Sequence, residues 1–250
     1  MNLSKNKLKY IRSLKDKKYR TEYKTFVAEG NKLVNDLLPY LRCQLLISTS
    51  GFFQEIDISN IEEAYEVTES QLAQVSFLKN PQQALAVFYQ PEHINEVDLK
   101  SELVLALDGI QDPGNLGTIV RLADWYGIKN IFCTTDTADI YNPKVVQATM
   151  GALARVNVHY IDLLDFLHQN KEMPVYGTLL DGKNMYEEEI TSNGIIVMGN
   201  EGNGIRPEIQ RLISKKLYIP NYPIGNPTSE SLNVAIATAI VCAEFRRRNY

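Results

Sequence analysis

The chain has 250 residues, 44% of them hydrophobic and 22% charged, and a net charge of −4, an ordinary globular composition that can bury one large core or two smaller ones. No apolar run approaches the roughly 18–20 residues of a membrane helix, and Met1-Asn-Leu-Ser-Lys lacks a signal peptide's apolar core. Three scattered cysteines (Cys43, Cys133, Cys242) and three histidines (His93, His159, His168) offer neither a disulfide framework nor a zinc spacing, so a soluble, cytoplasmic protein without a metal is expected.

Residues 3–25 read as a basic helical segment. Residues 1–24 hold nine cations against Asp16 and Glu22, a local charge of +7 that leaves −11 for the remainder. A dense cationic segment on an acidic protein is a phosphate-facing signal, because cation–phosphate contact releases condensed counterions. A solvated basic helix face is the alternative. Tyr10, Tyr19 and Tyr23 lie among the cations, where aromatic rings suit base stacking. Phe26-Val-Ala-Glu-Gly-Asn reads as a strand or turn entering a helix over 31–38, which Pro39 ends. Leu45–Ser48 and Gln83–Tyr89 are short buried strands. Residues 51–102 are acid-rich, and the polar stretch 91–101 reads as a linker, placing a domain boundary near residue 100.

The second half alternates more clearly. Leu103–Leu107 is a continuous apolar run, as a buried parallel strand requires. Leu116, Ile119, Val120 and Ala123 then follow at helical spacing until Gly127. Strands are expected at 130–134, 156–160, 175–180, 195–198 and 217–220. Helices are expected from about Pro143, over 162–169, near 206–213 and from about Ser231. This alternation predicts an α/β domain with a mostly parallel sheet.

Ligands of open α/β sheets bind beyond the carboxyl ends of the strands, and three unusual loops fall there. The first is Asp108-Gly-Ile-Gln-Asp-Pro-Gly-Asn-Leu-Gly-Thr-Ile-Val-Arg121, a strand-to-helix turn whose backbone N–H groups suit an anion. Asn115 as an N-cap and Arg121 as a snorkelling surface cation are the plain structural alternatives. The second is Met198-Gly-Asn-Glu-Gly-Asn-Gly204, whose G-x-x-G-x-G spacing is neither the dinucleotide fingerprint nor a P-loop. A turn does not need a carboxylate among its glycines, so Glu201 reads as functional. The third runs from Ile219-Pro-Asn through two further prolines to Ser231-Leu-Asn-Val, entering an Ala-rich helix that ends in Arg246-Arg-Arg. Ser231 is a natural N-cap there; Asn233, one turn in, is less readily explained.

Together these loops resemble the SpoU/TrmH class of SPOUT methyltransferases. The three class motifs occur in order as Asn115-Leu-Gly-Thr-Ile-Val-Arg121, Gly199-Asn-Glu-Gly-Asn-Gly204 and Ile219-Pro220 … Ser231-Leu-Asn-Val. The resemblance spans about residues 102–248. It is looser over 1–100, where Phe26-Val-Ala-Glu-Gly-Asn-Lys-Leu-Val resembles the start of a ribosomal-protein-like RNA-binding domain. It implies an N-terminal RNA-binding domain over 1–100 and a catalytic domain with a trefoil knot over 101–250. General topology rules argue against a knot, so that expectation is inherited. The implied activity is methyl transfer from S-adenosyl-L-methionine to a ribose 2′-hydroxyl of structured RNA, rRNA sooner than tRNA, by a homodimer without metal.

By motif match, Arg121, Asn115, Glu201, Ser231 and Asn233 are the catalytic set. Gly199, Ile219, Leu232, Thr178, Leu179 and Leu180 would line the cofactor, and Lys15, Lys17, Lys18 and Arg121 would meet RNA. The family's arginine is described as a general base, but a guanidinium rarely deprotonates. Fixing the phosphate and polarising the hydroxyl is the physical reading. One departure stands out: the spacer Asn221–Glu230 is longer than the class usually has. The alternatives are an RNA-binding protein that kept the fold without catalysis, and a nucleotide-dependent oxidoreductase, which the missing dinucleotide fingerprint disfavours.

Overall fold

The computed structural model describes residues 3–59, 61–92, 97–223, 226, 229 and 231–248. Parts of the expected linker (93–96, with His93) and of the long spacer (224, 225, 227, 228 and 230) lie outside the described residues. In chain order the first elements are α1 (Lys5–Ser13), α2 (Lys17–Tyr23), β1 (Thr25–Glu29), α3 (Asn31–Leu37), β2 (Cys43–Ser48), α4 (Ser50–Glu55), β3 (Ile61–Glu66), α5 (Glu69–Ala73) and β4 (Ala84–Tyr89). There follow β5 (Leu103–Asp108), α6 (Pro113–Trp125), β6 (Asn130–Thr134), α7 (Pro143–Thr149), β7 (Asn157–Ile161), α8 (Leu163–Gln169), β8 (Val175–Asn184), β9 (Gly194–Gly199), α9 (Pro207–Gln210), β10 (Lys215–Tyr218) and α10 (Val234–Arg247).

Two compact units result. One comprises Met1–His93 with Asp139–Ala154, the other Ile94–Ala138 with Arg155–Tyr250. The polar stretch 91–101 predicts a single boundary near residue 100. The chain instead returns to the first unit at Asp139, and side-chain chemistry shows why. Arg20 is only 2% exposed, and a buried guanidinium must be paired. Its Nε and Nη2 donate to Asp139 Oδ2 (3.1 and 2.7 Å), while Nη1 donates to the carbonyls of Leu14 and Lys15 (2.8 and 2.6 Å). Beside this pair, Tyr141 lies against Phe26 (ring centroids 5.0 Å apart) and α7 packs on β1.

The first unit carries a four-stranded sheet, β1-β4-β2-β3, in which only β2 and β3 are parallel. Its core joins Ile11 and Leu14 of the amino-terminal segment to Val27, Leu45, Ile47, Leu85 and Val87 of the sheet. The expected single helix over 3–25 is broken at Leu14–Asp16 into α1 and α2. The nine cations also divide. Arg20 is buried, Lys7 pairs with Glu63 (2.5 Å) and Arg12 Nε donates to the Gln74 carbonyl (2.7 Å), whereas Lys15, Lys17 and Lys18 are exposed. Tyr10 is spoken for as well, its hydroxyl held by Thr25 and Gln44 (2.9 and 2.7 Å), with Tyr23 edge-on to its ring.

The second unit is a six-stranded sheet, every pairing parallel, in the order β10-β8-β9-β5-β6-β7. β5 and β6 are buried along their whole length, β5 as its apolar run Leu103–Leu107 requires. Leu116, Ile119, Val120 and Ala123 all face the core. Asp112 is the N-cap of α6, accepting from the Asn115 N–H at 2.8 Å, with Pro113 in the first turn. At the far end, α10 packs on α6, and Glu244 binds Arg247 and Arg248. Those two arginines hold its carboxyl down to about 2.

If Asp139 is what holds residues 139–154 to the first unit, Asp139→Ala leaves Arg20 buried without its counter-ion. The expected cost is about 3 kcal/mol or more of that unit's stability, read as a lower urea midpoint and lost amide protection in β1 and α7. Unchanged protection would show that the ion pair is dispensable.

Candidate active site

Parallel strands place all their carboxyl ends along one edge of the sheet. At that edge the last residues of β5 and β9 are in register, Asp108 opposite Gly199. The loops that follow these two strands, together with the entry to α10, therefore converge.

Their contact is a directional chain of side chains. Asn115 Nδ2 donates to Glu201 Oε1 at 3.0 Å, and Asn233 Nδ2 donates to Asn115 Oδ1 at 2.9 Å. Asn233 Oδ1 in turn accepts from the N–H groups of Ala235 (2.9 Å) and Ile236 (3.3 Å), capping α10. Glu201 also accepts two long bonds from the backbone of Asp112 (3.4 Å) and Gln111 (3.5 Å). The N-cap of α10 is thus Asn233, not Ser231 as expected from sequence. Asn115 is not a cap at all, because Asp112 does that work. Asn115 owes the availability of its side chain to the capping by Asp112.

The glycine loop is packed as tightly as its composition suggests. A Cβ on Gly199 would lie 2.4 Å from the Gly204 carbonyl carbon and the Ile205 nitrogen, so no other residue fits. Asn200 closes the turn. Its backbone exchanges bonds with Gly204 (3.0 and 2.9 Å), its Oδ1 accepts from Gly202 and Asn203 (2.9 and 3.0 Å), and its Nδ2 donates to the Gly109 carbonyl (2.6 Å). Beyond the loop, Arg206 meets Asp108. The hydrogen bond it donates to this carboxylate raises the guanidinium pKa above its ordinary value. Sequence reasoning gave neither residue a role. They are 98 positions apart, and no local pattern links them.

β8 holds a further feature that sequence reading missed. It was expected to stop at Leu180 but continues to Asn184. Lys216 of β10 pairs with Gly177 and the next residue, Leu217, pairs with Lys183, so residues 178–182 leave the ladder. The strand returns through Gly182, where a Cβ would meet the Leu217 backbone at 2.6 Å. Within the excursion Thr178 Oγ1 contacts Met198 Sδ at 3.8 Å, Leu179 packs on the core and Leu180 is 74% exposed. Ile219 is half-buried just beyond β10, and Leu232 is 47% exposed before α10.

Two members of the expected catalytic set take no part in this chain of bonds. Ser231 is exposed, and Arg121, exposed on α6, has no side-chain partner among the described residues. Arg121 lies six positions after Asn115, which turns it about 120° around the helix and away from the amide chain. It shares a face with Trp125, four residues on and 83% exposed.

A parallel α/β sheet whose strand ends carry the Glu201–Asn115–Asn233 chain and a glycine loop with neither the dinucleotide nor the P-loop spacing defines a class of site other than a dinucleotide-binding one. Comparison with known proteins agrees. Residues 102–243 match the SpoU rRNA Methylase family and residues 5–86 an MRM3-like substrate binding domain; the chain belongs to the SpoU rRNA methylase family. The 23S rRNA (guanosine(2553)-2′-O)-methyltransferase RlmP of Bacillus subtilis is 32% identical over 245 residues, covering 96% of each chain. Among solved structures, a protein from Porphyromonas gingivalis assigned to the TrmH family of RNA methyltransferases superposes with a TM-score of 0.90. It is 42% identical, over 99% of this chain and 100% of its own. The AdoMet-bound rRNA methyltransferase from Sinorhizobium meliloti superposes at 0.85, with 30% identity over 100% and 97% of the two chains.

Because Asn233 both caps α10 and reaches Asn115, the two jobs can be separated. Asn233→Ala is expected to cost about 1 kcal/mol, whereas Asn233→Asp, which keeps the capping oxygen, stays within about 0.5 kcal/mol of the parent in thermal denaturation. Equal losses would show that the amide bond to Asn115, not the cap, supports the helix.

Proposed function

We propose that this protein transfers a methyl group from S-adenosyl-L-methionine to a ribose 2′-hydroxyl of ribosomal RNA. The observation that carries this reading is the chain Glu201–Asn115–Asn233, which ties the three motif loops together at the carboxyl edge of the sheet. Family membership supports the reaction. The substrate class is supported by what the B. subtilis and S. meliloti proteins are named for, and by the substrate-binding match of residues 5–86.

The residues present fit the cofactor. Leu180 and Leu232 leave large apolar side chains exposed at an edge where soluble folds ordinarily present polar loops. Thr178, Leu179 and Leu180 would line the bound molecule, and the backbones of Gly199, Ile219 and Leu232 would hold its polar edge. When bound, S-adenosylmethionine supplies an activated methyl group on a good leaving group, so this chain must position the hydroxyl and manage one proton. Asn115 and Glu201 orient the ribose, and Ser231 and Asn233 hydrogen-bond around the reacting centre. Arg121 holds the adjoining phosphate and polarises the hydroxyl. The hydroxyl proton leaves to the adjoining phosphate or to water.

The active protein in this proposal is a homodimer. α6 presents Trp125 and α10 presents Ile236, 83% and 54% exposed, and Arg121 lies on the same face of α6 as Trp125. Burying that face against a second copy brings Arg121 to the partner's amide chain. The trefoil knot belongs to the same reading. The chain leaves edge strand β10, passes back to pack α10 on α6 and β9, and ends with Arg248 donating to the carbonyls of Met185 and Glu188 (2.9 and 2.6 Å). Three free, buried cysteines suit a reducing compartment, and the proposed location is the cytoplasm. In the first unit, the buried Arg20 grips the carbonyls of Leu14 and Lys15 and so orders the turn that displays Lys15, Lys17 and Lys18 towards RNA.

Arg121→Ala is expected to abolish methyl transfer while S-adenosylhomocysteine binding, measured by calorimetry, stays within about tenfold, or 1.4 kcal/mol. Co-expressed with Glu201→Gln, it should regain activity, since one site of each mixed dimer then draws both intact residues from different chains. No recovery would place Arg121 in its own protomer's site. Changing Lys15, Lys17 and Lys18 together to Gln should weaken RNA binding and lower the slope of log affinity against log salt by about 2–3; an unaltered slope would remove these lysines from the interface.

A further inference from the structure

Asp108 ends β5 and is 1% exposed. A carboxylate so buried requires donors, and all those it receives among the described residues come from Arg206. The Arg206 backbone N–H reaches Oδ2 at 2.7 Å, while Nε and Nη2 fork onto Oδ1 at 2.6 and 2.5 Å. Arg206 is otherwise poorly suited to its place. It occupies the N-cap position of α9, where a cation opposes the helix dipole, and its side chain makes no capping bond. A second carboxylate, Asp136, stands 3.7 Å from it.

The glycine loop lies between two anchors on consecutive residues. Asn200 Nδ2 holds the start of the loop to the Gly109 carbonyl, and Arg206 holds its end to Asp108. Within the loop, the bonds of Asn200 to Gly202, Asn203 and Gly204 make a closed ring. The loop therefore moves as one piece, and its position relative to α6 is set by these two attachments. Glu201 rides on that piece, and its 3.0 Å bond to Asn115 is the junction between the glycine loop and the rest of the amide chain.

We infer that Arg206, clamped on Asp108, is a positioning residue that sets the glycine loop at the height where Glu201 meets Asn115. The inference rests on the proposed catalytic role of Glu201. The fork matters as well as the charge, since Nε and Nη2 approach one carboxylate oxygen from two directions while the backbone N–H takes the other. A single amide in place of the guanidinium cannot reproduce this and lets the loop shift without unfolding the sheet.

The test uses the full-length protein with Arg206→Gln, Glu201→Gln and the two combined. Arg206→Gln is expected to lower kcat about tenfold, with the KM for RNA and the Kd for S-adenosylhomocysteine within about twofold of the parent. The combined variant should be no slower than Glu201→Gln alone, because the clamp acts only through that residue. An independent readout is the side-chain amide resonance of Asn115, identified by its loss in Asn115→Ala. In Arg206→Gln it should move towards its position in Glu201→Gln. Multiplicative losses in kcat, a fall confined to the KM for RNA, or an unmoved Asn115 resonance would each overturn the inference. Full activity in Glu201→Gln would instead overturn the catalytic reading of Glu201, and a shifted Asn115 resonance would then still show that the clamp positions the loop.

Discussion

The Asn115 side chain is the piece on which the site depends. It is a short amide standing between an acceptor and a donor that lie 86 and 118 residues away in sequence. The direction of its bonds is dictated from one end. The first N–H groups of α10 have no partners within the helix, so the oxygen of Asn233 must turn to them and its nitrogen must face Asn115. The oxygen of Asn115 then faces Asn233, and its nitrogen is left to find an acceptor. Glu201 is that acceptor. An Asp, one methylene shorter, would not reach from the same backbone position, and a hydrophobic residue would leave the amide donor without a partner at a cost of order 1 kcal/mol. The requirement for Asn, Glu and Asn thus propagates from the dipole end of one helix through three loops.

That geometry needs close backbone approach, which explains the glycines better than ligand contact does. Gly199 has no room for a side chain because its own loop folds back on it, and Gly182 has none because β8 rejoins β10 against it. The parallel sheet supplies the remaining constraint by gathering the strand ends along one edge. A cavity of about 240 Å³ in the same unit is lined by Ser101, Glu102, Leu103, Gly127, Lys129 and Arg246. Ser101 and Glu102 lead into β5 and Leu103 begins it, so this cavity sits at the opposite edge, away from the amide chain.

Much of the second unit was legible because its strands are buried on both faces. Leu103–Leu107 of β5 and Ile195–Met198 of β9 read as apolar runs, and α6 shows its stripe at Leu116, Ile119, Val120 and Ala123. The first unit was harder. α4, β3 and α5 escaped notice: β3 is a short strand, Ile-Glu-Glu-Ala-Tyr-Glu, at the sheet's edge, where carboxylates guard an unpaired ladder instead of alternating with apolar residues. The site was legible as a list of residues but not as a wiring diagram. Ser231 looked like the cap because serine is a favoured cap, yet Asn233 takes the position two residues on. The return of Asp139–Ala154 to the first unit and the Asp108–Arg206 clamp were invisible for a common reason: each depends on a buried charge meeting its partner across about a hundred residues of sequence.

The proposed role of Arg121 places a further demand on the structure. A cation that is to hold a phosphate must first be held, since a free arginine loses substantial rotamer entropy on every encounter. Asn115, Glu201 and Asn233 hold one another, and Arg206 is held by Asp108, but Arg121 has no such support among the described residues of its own chain. Its helix turns it away from the amide chain and towards Trp125, whose indole is almost wholly exposed. An exposed tryptophan beside an unsupported arginine is costly in an isolated chain and useful at an interface, where the ring is buried and the cation is steered. In the proposed homodimer, a second copy on the α6 face would bury Trp125 and give Arg121 the support that the described residues of its own chain do not.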